Sequence, residues 1–170
     1  MILPKFNLPA TDGKNYSNSF FENANAKLVV FSCNHCPYVK GSDEALIKAV
    51  GRFEDSGLKT LAISSNNAEQ YPEDSFEKMK EKSSTMKLPF PYLYDETQSV
   101  AKAFNAECTP ECFLFDKNDK LVYHGTVNDS PRYPEKVTKN HLELAISQLL
   151  DNQKVEPSYV HPIGCSIKWK

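Results

Sequence analysis

Cys33-Asn34-His35-Cys36 places two thiols three positions apart with an imidazole between them. A thiolate with a second thiol in reach can open a substrate disulfide and then close on its neighbour, so the spacing points to thiol–disulfide exchange. Cys33 is the expected nucleophile, read as the more exposed thiol at a helix N-terminus, where free backbone N–H groups and the macrodipole favour an anion. Cys36, one turn further in, is then the resolving thiol. His35, as imidazolium or N–H donor, would stabilise the Cys33 thiolate and make the disulfide more oxidising. The expected potential is roughly −270 to −180 mV, the span of reducing and isomerising dithiol proteins. Two other readings compete. One is a pair of buried structural cysteines. The other is a copper- or zinc-binding module using Cys33, Cys36 and His35, although no second Cys-x-x-Cys pair supports it.

The surrounding pattern is that of a sheet with helices. Leu28-Val29-Val30-Phe31 reads as a buried strand ending at the motif. Residues 37–54 carry Val39, Leu46, Ala49, Val50 and Phe53 on one helical face, with Gly57 as a stop. Leu58–Ser64 is apolar on both faces, as a central parallel strand must be. Helices are predicted over 74–86, 98–104 and 138–150, and a short strand at Tyr92–Tyr94. Cys112–Phe115 and Leu121–His124 form a hairpin about Asp116-Lys117-Asn118-Asp119. Asp12-Gly13-Lys14 is a turn in an otherwise irregular N-terminal segment. The sum is an α/β domain, residues 1–150, with a mixed central sheet flanked by helices, and a tail over 151–170 in which Pro157, Pro162 and Gly164 argue against regular structure.

Length and composition set the frame. The chain has 170 residues and a formal net charge of −2, which gives no reason to expect nucleic acid or an anionic membrane as partner. No apolar run approaches a membrane span. The N-terminus lacks the pattern of a secretory signal, so the expected location is cytoplasmic. Five cysteines are too few for a disulfide-stapled scaffold.

Thr109-Pro110 stands immediately before the strand at Cys112. With the dithiol and sheet placed, this resembles the thioredoxin fold, which implies a cis Thr109–Pro110 bond facing the dithiol. There the Thr109 backbone would bind an extended substrate chain, and the Pro110 ring would shield the disulfide. The likeness extends over nearly the whole chain. Tyr71-Pro72-Glu73-Asp74-Ser75-Phe76, Phe90-Pro91-Tyr92-Leu93-Tyr94-Asp95-Glu96-Thr97, Cys108-Thr109-Pro110-Glu111 and Ile163-Gly164-Cys165-Ser166-Ile167-Lys168-Trp169 resemble the peroxiredoxin-like thioredoxin-family proteins of the alkyl hydroperoxide reductase/thiol-specific antioxidant superfamily. The resemblance implies a helical insertion at 66–95 and Cys33 and Cys36 as the redox pair.

The chain also departs from its relatives. A typical peroxiredoxin has Pro and Thr seven and three residues before its reactive cysteine. Counting back gives Ala26 and Val30 from Cys33, and Val29 and Cys33 from Cys36. The tryptophan before the thioredoxin dithiol is Ser32 here. The buried acid of thioredoxin would fall near Lys27, and the glutamate of cytochrome-maturation relatives at Val39.

The family pattern includes Cys108 and Cys165, which are therefore expected to pair or to relay electrons with the dithiol; Cys112 is expected in the core. Asp74, Asp95 and Asp129 read as turn or cap residues. His124, His141 and His161 have no motif partner, Tyr38 would shape the substrate groove, and Trp169 would anchor the tail. The sequence thus predicts a thiol–disulfide oxidoreductase acting on protein or small-molecule disulfides. It would need a redox-recycling partner but no dissociable cofactor and no metal. The alternative in the same fold is a thiol peroxidase.

Overall fold

A computed structural model describes residues 1–170. A hairpin of β1 (Asn7–Pro9) and β2 (Asn15–Ser17) turns at Asp12–Lys14. Next come β3 (Ala26–Ser32), α1 (Pro37–Phe53), β4 (Leu58–Ser64), α2 (Phe76–Met86), β5 (Tyr92–Tyr94) and α3 (Ser99–Phe104). The chain continues through β6 (Cys108–Thr109), β7 (Glu111–Asp116), β8 (Leu121–Gly125), α4 (His141–Leu150), β9 (Tyr159–Val160) and β10 (Cys165–Ser166). The main sheet has the order β5-β4-β3-β7-β8-β9. β3, β4 and β5 run parallel, β7 is antiparallel to β3 and β8, and β9 is parallel to β8.

Both faces of the sheet are covered, and strand alternation decides which side chain goes where. Leu28 and Val30 of β3 and Leu58 and Ala62 of β4 face the core under α1, α2 and α4, with Leu46, Val50, Met79 and Leu142. Val29 and Phe31 of β3 and Leu61 and Ile63 of β4 face the opposite core, with Val100, Ala101 and Phe104 of α3 and Leu3, Phe6 and Leu8 of the N-terminal segment. Every residue of β3 is buried, so the strand that ends at Cys33 is fixed from both sides.

Two helix starts differ from the sequence reading. α2 begins at Phe76 rather than 74, because Pro72–Asp74 forms a tight 3-10 turn and the Ser75 hydroxyl caps the Lys78 N–H. α4 begins at His141 rather than 138, because Asp129 binds the Thr138 N–H and hydroxyl and its own N–H reaches Lys139 O. Nor is the tail free of regular structure: β9 extends the main sheet, and β10 pairs with β6. Trp169 is half-exposed; buried Ile167 fixes the tail instead.

Gly57 turns the chain from α1 into β4 at φ +97°, and a Cβ there would stand 2.4 Å from Asn25 Nδ2. Gly57→Ala is expected to cost about 1–2 kcal/mol, seen as a lower denaturant midpoint at unchanged slope. An unchanged midpoint would show that the turn relaxes freely.

Candidate active site

The loop between β3 and α1 carries the dithiol. α1 opens with Pro37, whose missing N–H costs nothing at that position, and Cys36 is its N-cap. The sequence reading puts Cys33 at the helix start and makes it the more exposed thiol. Both points are corrected. Cys33 is 0% exposed and Cys36 1% exposed, and the helix N-terminus belongs to Cys36. The reason is Pro37, which sets the first helical residue one place after the second cysteine.

The two sulfurs differ in electrostatics. The Cys33 and Cys165 thiols beside Cys36, at the start of α1, lower it to about 4 against its burial. Cys33 is pushed up well beyond the usual thiol range, because it is the donor to Cys36 and because it is buried. Thr109 bridges the pair: its Oγ1 donates to Cys33 Sγ at 3.4 Å, and its carbonyl accepts from the Cys36 thiol, when that thiol carries its proton, at 3.5 Å. The Thr109–Pro110 bond is cis. The Cys36 N–H also points to Cys33 Sγ, at 3.4 Å.

His35 stands within 4.8 Å of the Cys33 sulfur but is engaged elsewhere. Its Nδ1 lies 2.6 Å from Asp74 Oδ2, off the N–H line a hydrogen bond needs, and its ring stacks on Tyr71. No hydrogen bond from His35 reaches the Cys33 sulfur, which takes its donors from Thr109 and Cys36 instead.

Asp74 is the functional residue that sequence reasoning misses, since its setting reads as a turn or cap. Its side chain is fully buried. Oδ1 accepts the Asn34 N–H at 2.8 Å, and Oδ2 accepts Asn66 Nδ2 at 2.8 Å. Asn34 is held further by its Nδ2 on Glu73 O and by the Tyr92 hydroxyl on its Oδ1. The dithiol loop is thus tied to the 66–75 segment, remote in the chain, where no spacing rule reaches. A second buried charge lies alongside: Lys82 Nζ pairs with Asp43 at 2.9 Å and donates to Cys33 O at 3.0 Å. Burial pushes Asp43 up, and Lys82 opposes that shift. Lys27 is remote from the dithiol, in an ion pair with Asp119. Asp74 and Asp43 supply the buried acids of this site.

The remaining cysteines separate. Cys165 packs on the Cys33–Cys36–Val39 cluster, and Tyr38 covers the same cluster. Cys108 is buried outside that cluster, pushed up to about 12 by burial and by Glu111, which accepts the Glu107 and Cys108 N–H groups. Cys112 is wholly in the core. His124 has a partner after all, Glu111 Oε1 at 2.5 Å. Asp95 caps α3 through the Val100 and Ala101 N–H groups. As a donor set for a metal, Cys33, His35 and Asp74 have ligand atoms all within 4.8 Å of one another.

A buried dithiol at a strand-to-helix turn, set against a cis-proline loop in a mixed sheet, defines a thioredoxin-fold protein of the redoxin superfamily. Residues 2–124 match the AhpC/TSA family, and the chain belongs to it. Two solved structures cover all of the chain at a TM-score of 0.94: an uncharacterised conserved protein from Geobacillus kaustophilus, 42% identical over 91% of its length, and a hypothetical protein from Sinorhizobium meliloti 1021, 38% identical over 93%. The thioredoxin domain of a thiol-disulfide oxidoreductase from Bacteroides vulgatus shares the fold at TM-score 0.65 and 18% identity, over 78% of this chain and 91% of that one. No curated protein matches the chain. No helix is long and apolar enough to cross a membrane.

Proposed function

We propose that the protein is a thiol–disulfide oxidoreductase that cycles Cys33 and Cys36 between dithiol and disulfide. The observation that carries the reading is a pair of buried sulfurs at a strand-to-helix turn, bridged by Thr109, with Cys36 capping the helix. The Cys36 thiolate attacks a substrate disulfide, forms a mixed disulfide and expels the first substrate thiolate. Cys33 then loses its proton to that departing thiolate and attacks Cys36 Sγ. The Cys33–Cys36 bond forms, the mixed disulfide breaks, and two electrons have passed to the substrate. A reducing partner restores the dithiol. Relative to the sequence reading, the residues are the same and their order is reversed.

β10 already pairs the Thr109 edge, so a small disulfide is the first probe. Reduced protein mixed with glutathione disulfide is expected to yield the Cys33–Cys36 disulfide and two equivalents of glutathione. Single-turnover mixing with hydrogen peroxide is expected to be slower at equal concentration. Faster oxidation by peroxide, through a sulfenic acid at Cys36, overturns the reading in favour of a thiol peroxidase.

A further inference from the structure

The edge expected to receive a substrate chain holds the protein's own tail. β10 runs antiparallel to β6, with Cys165 opposite Thr109 and Ser166 opposite Cys108. The approach depends on Gly164, where a Cβ would stand 2.1 Å from Thr109 O. Beyond the strand the tail is pinned. Ile167 is buried with its N–H on Glu107 O, and Lys168 binds Asn66 Oδ1 through its N–H. The Lys168 carbonyl accepts Gln98 Nε2 and the Asn67 N–H. These contacts fix Cys165 with its thiol on Cys36, in a strand lying where the sequence reading puts the substrate chain.

We propose that Cys165 is a third redox thiol of this site, an internal stand-in for a substrate cysteine that exchanges with Cys36 to give a Cys36–Cys165 disulfide. It is the least buried of the five cysteines. Burial and the adjacent Cys36 push its thiol up to about 11 in the reduced site, while Lys168 and Arg132 act the other way. Once Cys36 is in a disulfide its negative charge is gone, and the opposition it offered to a Cys165 thiolate goes with it. The Cys165 thiolate then attacks Cys36 Sγ. From the Cys33–Cys36 disulfide, the Cys36–Cys165 bond forms, Cys33 leaves as thiolate and takes up the proton Cys165 released, and no outside oxidant is consumed. From a mixed disulfide on Cys36, the same attack expels the substrate thiolate. Cys165 thus resolves Cys36 from the side opposite Cys33 in the cycle. Cys108, outside the cluster, has no part in it.

The proposal rests on Cys36 carrying the substrate adduct, and the test keeps the two apart. Full-length Cys33→Ser is treated with glutathione disulfide, quenched in acid and mapped by mass. A Cys36–Cys165 linkage with no retained glutathione is expected, and Cys33→Ser/Cys165→Ser is expected to keep glutathione on Cys36. Adding Gly164→Ala to Cys33→Ser, which drives β10 off Thr109, is expected to slow the linkage about tenfold or more and leave glutathione on Cys36. Glutathione retained on Cys36 with Cys165 free overturns the proposal and leaves the oxidoreductase reading intact. So does a Cys36–Cys108 linkage in its place, or a linkage rate that Gly164→Ala leaves unchanged. Absence of any adduct or linkage at Cys36 overturns both.

Discussion

Cys36→Ser is expected to abolish disulfide reduction, by roughly a thousandfold or more, and to form no mixed disulfide. Cys33→Ser is expected still to attack, stopping before the Cys33–Cys36 disulfide can form. The expectation follows from where the helix begins. A thiolate is held by its neighbours, and the Cys36 sulfur has the Cys33 and Cys165 thiols beside it at the start of α1. Cys33 sits deeper, with the Asp74 charge opposing its ionisation. A group lowered to about 4 is ionised throughout the neutral range. Alkylation of Cys36 should therefore run at a constant rate from about pH 5 to 8 and fall only as the pH drops through about 4. The ultraviolet absorbance of the thiolate should titrate over that lower range in wild type and vanish in Cys36→Ser. If Cys33→Ser is the variant that cannot start the reaction, the order of attack is the one the sequence first suggested.

The helix start marks the boundary of what sequence can say here. Cys-x-x-Cys between an apolar run and an amphipathic stretch is enough to place a dithiol at a strand-to-helix turn. Alternation in Leu28–Phe31 and Leu58–Ser64 is enough to make both strands central. These are local signals with a fixed period. Which cysteine caps the helix is a question of one residue, and it is settled by Pro37 and by what packs on each sulfur. The partners of the loop are further out of reach. Asp74, Asn66, Lys82 and Thr109 come from separate segments, joined only when the sheet closes. Glu111 and His124 show the same limit: neighbouring strands in antiparallel register bring them together, with no motif to announce it. The tail is the sharpest case. Pro157, Pro162 and Gly164 argue against regular structure, yet Gly164 is what admits β10 to the Thr109 edge.

The absence of the peroxiredoxin Pro and Thr also acquires a physical meaning. Three residues before Cys36, where a peroxiredoxin has a hydroxyl donor, stands Cys33, itself hydrogen-bonded to Cys36. A thiol at that position can donate as a hydroxyl does, and it can also form a bond to sulfur. On the proposed function, a thiol there both steadies the Cys36 thiolate and resolves its adduct.

Asp74→Ala is expected to be the most destabilising change near the site, at about 3–5 kcal/mol, read from the denaturant midpoint. The carboxylate accepts from the Asn34 N–H and from Asn66 Nδ2, and no water replaces a fully buried acceptor without room to enter. Each donor left unpaired costs about 1–3 kcal/mol. Asp74→Asn keeps an oxygen for the Asn34 N–H but turns an NH2 group toward Asn66 or His35, so its loss should be smaller, about 1–3 kcal/mol. Function should suffer beyond stability. Asn34 follows Cys33 directly, and freeing its N–H lets the Cys33 sulfur drift from Cys36. In Asp74→Ala the mixed disulfide should therefore form near the wild-type rate and resolve more slowly, so that adduct accumulates well below the unfolding midpoint. Equal slowing of both steps would assign Asp74 to stability alone, and an unchanged midpoint would mean that the loop finds other acceptors. A resolution step slowed by itself makes Asp74 a positioning residue, acting on Cys33 through the backbone that Asn34 shares with it.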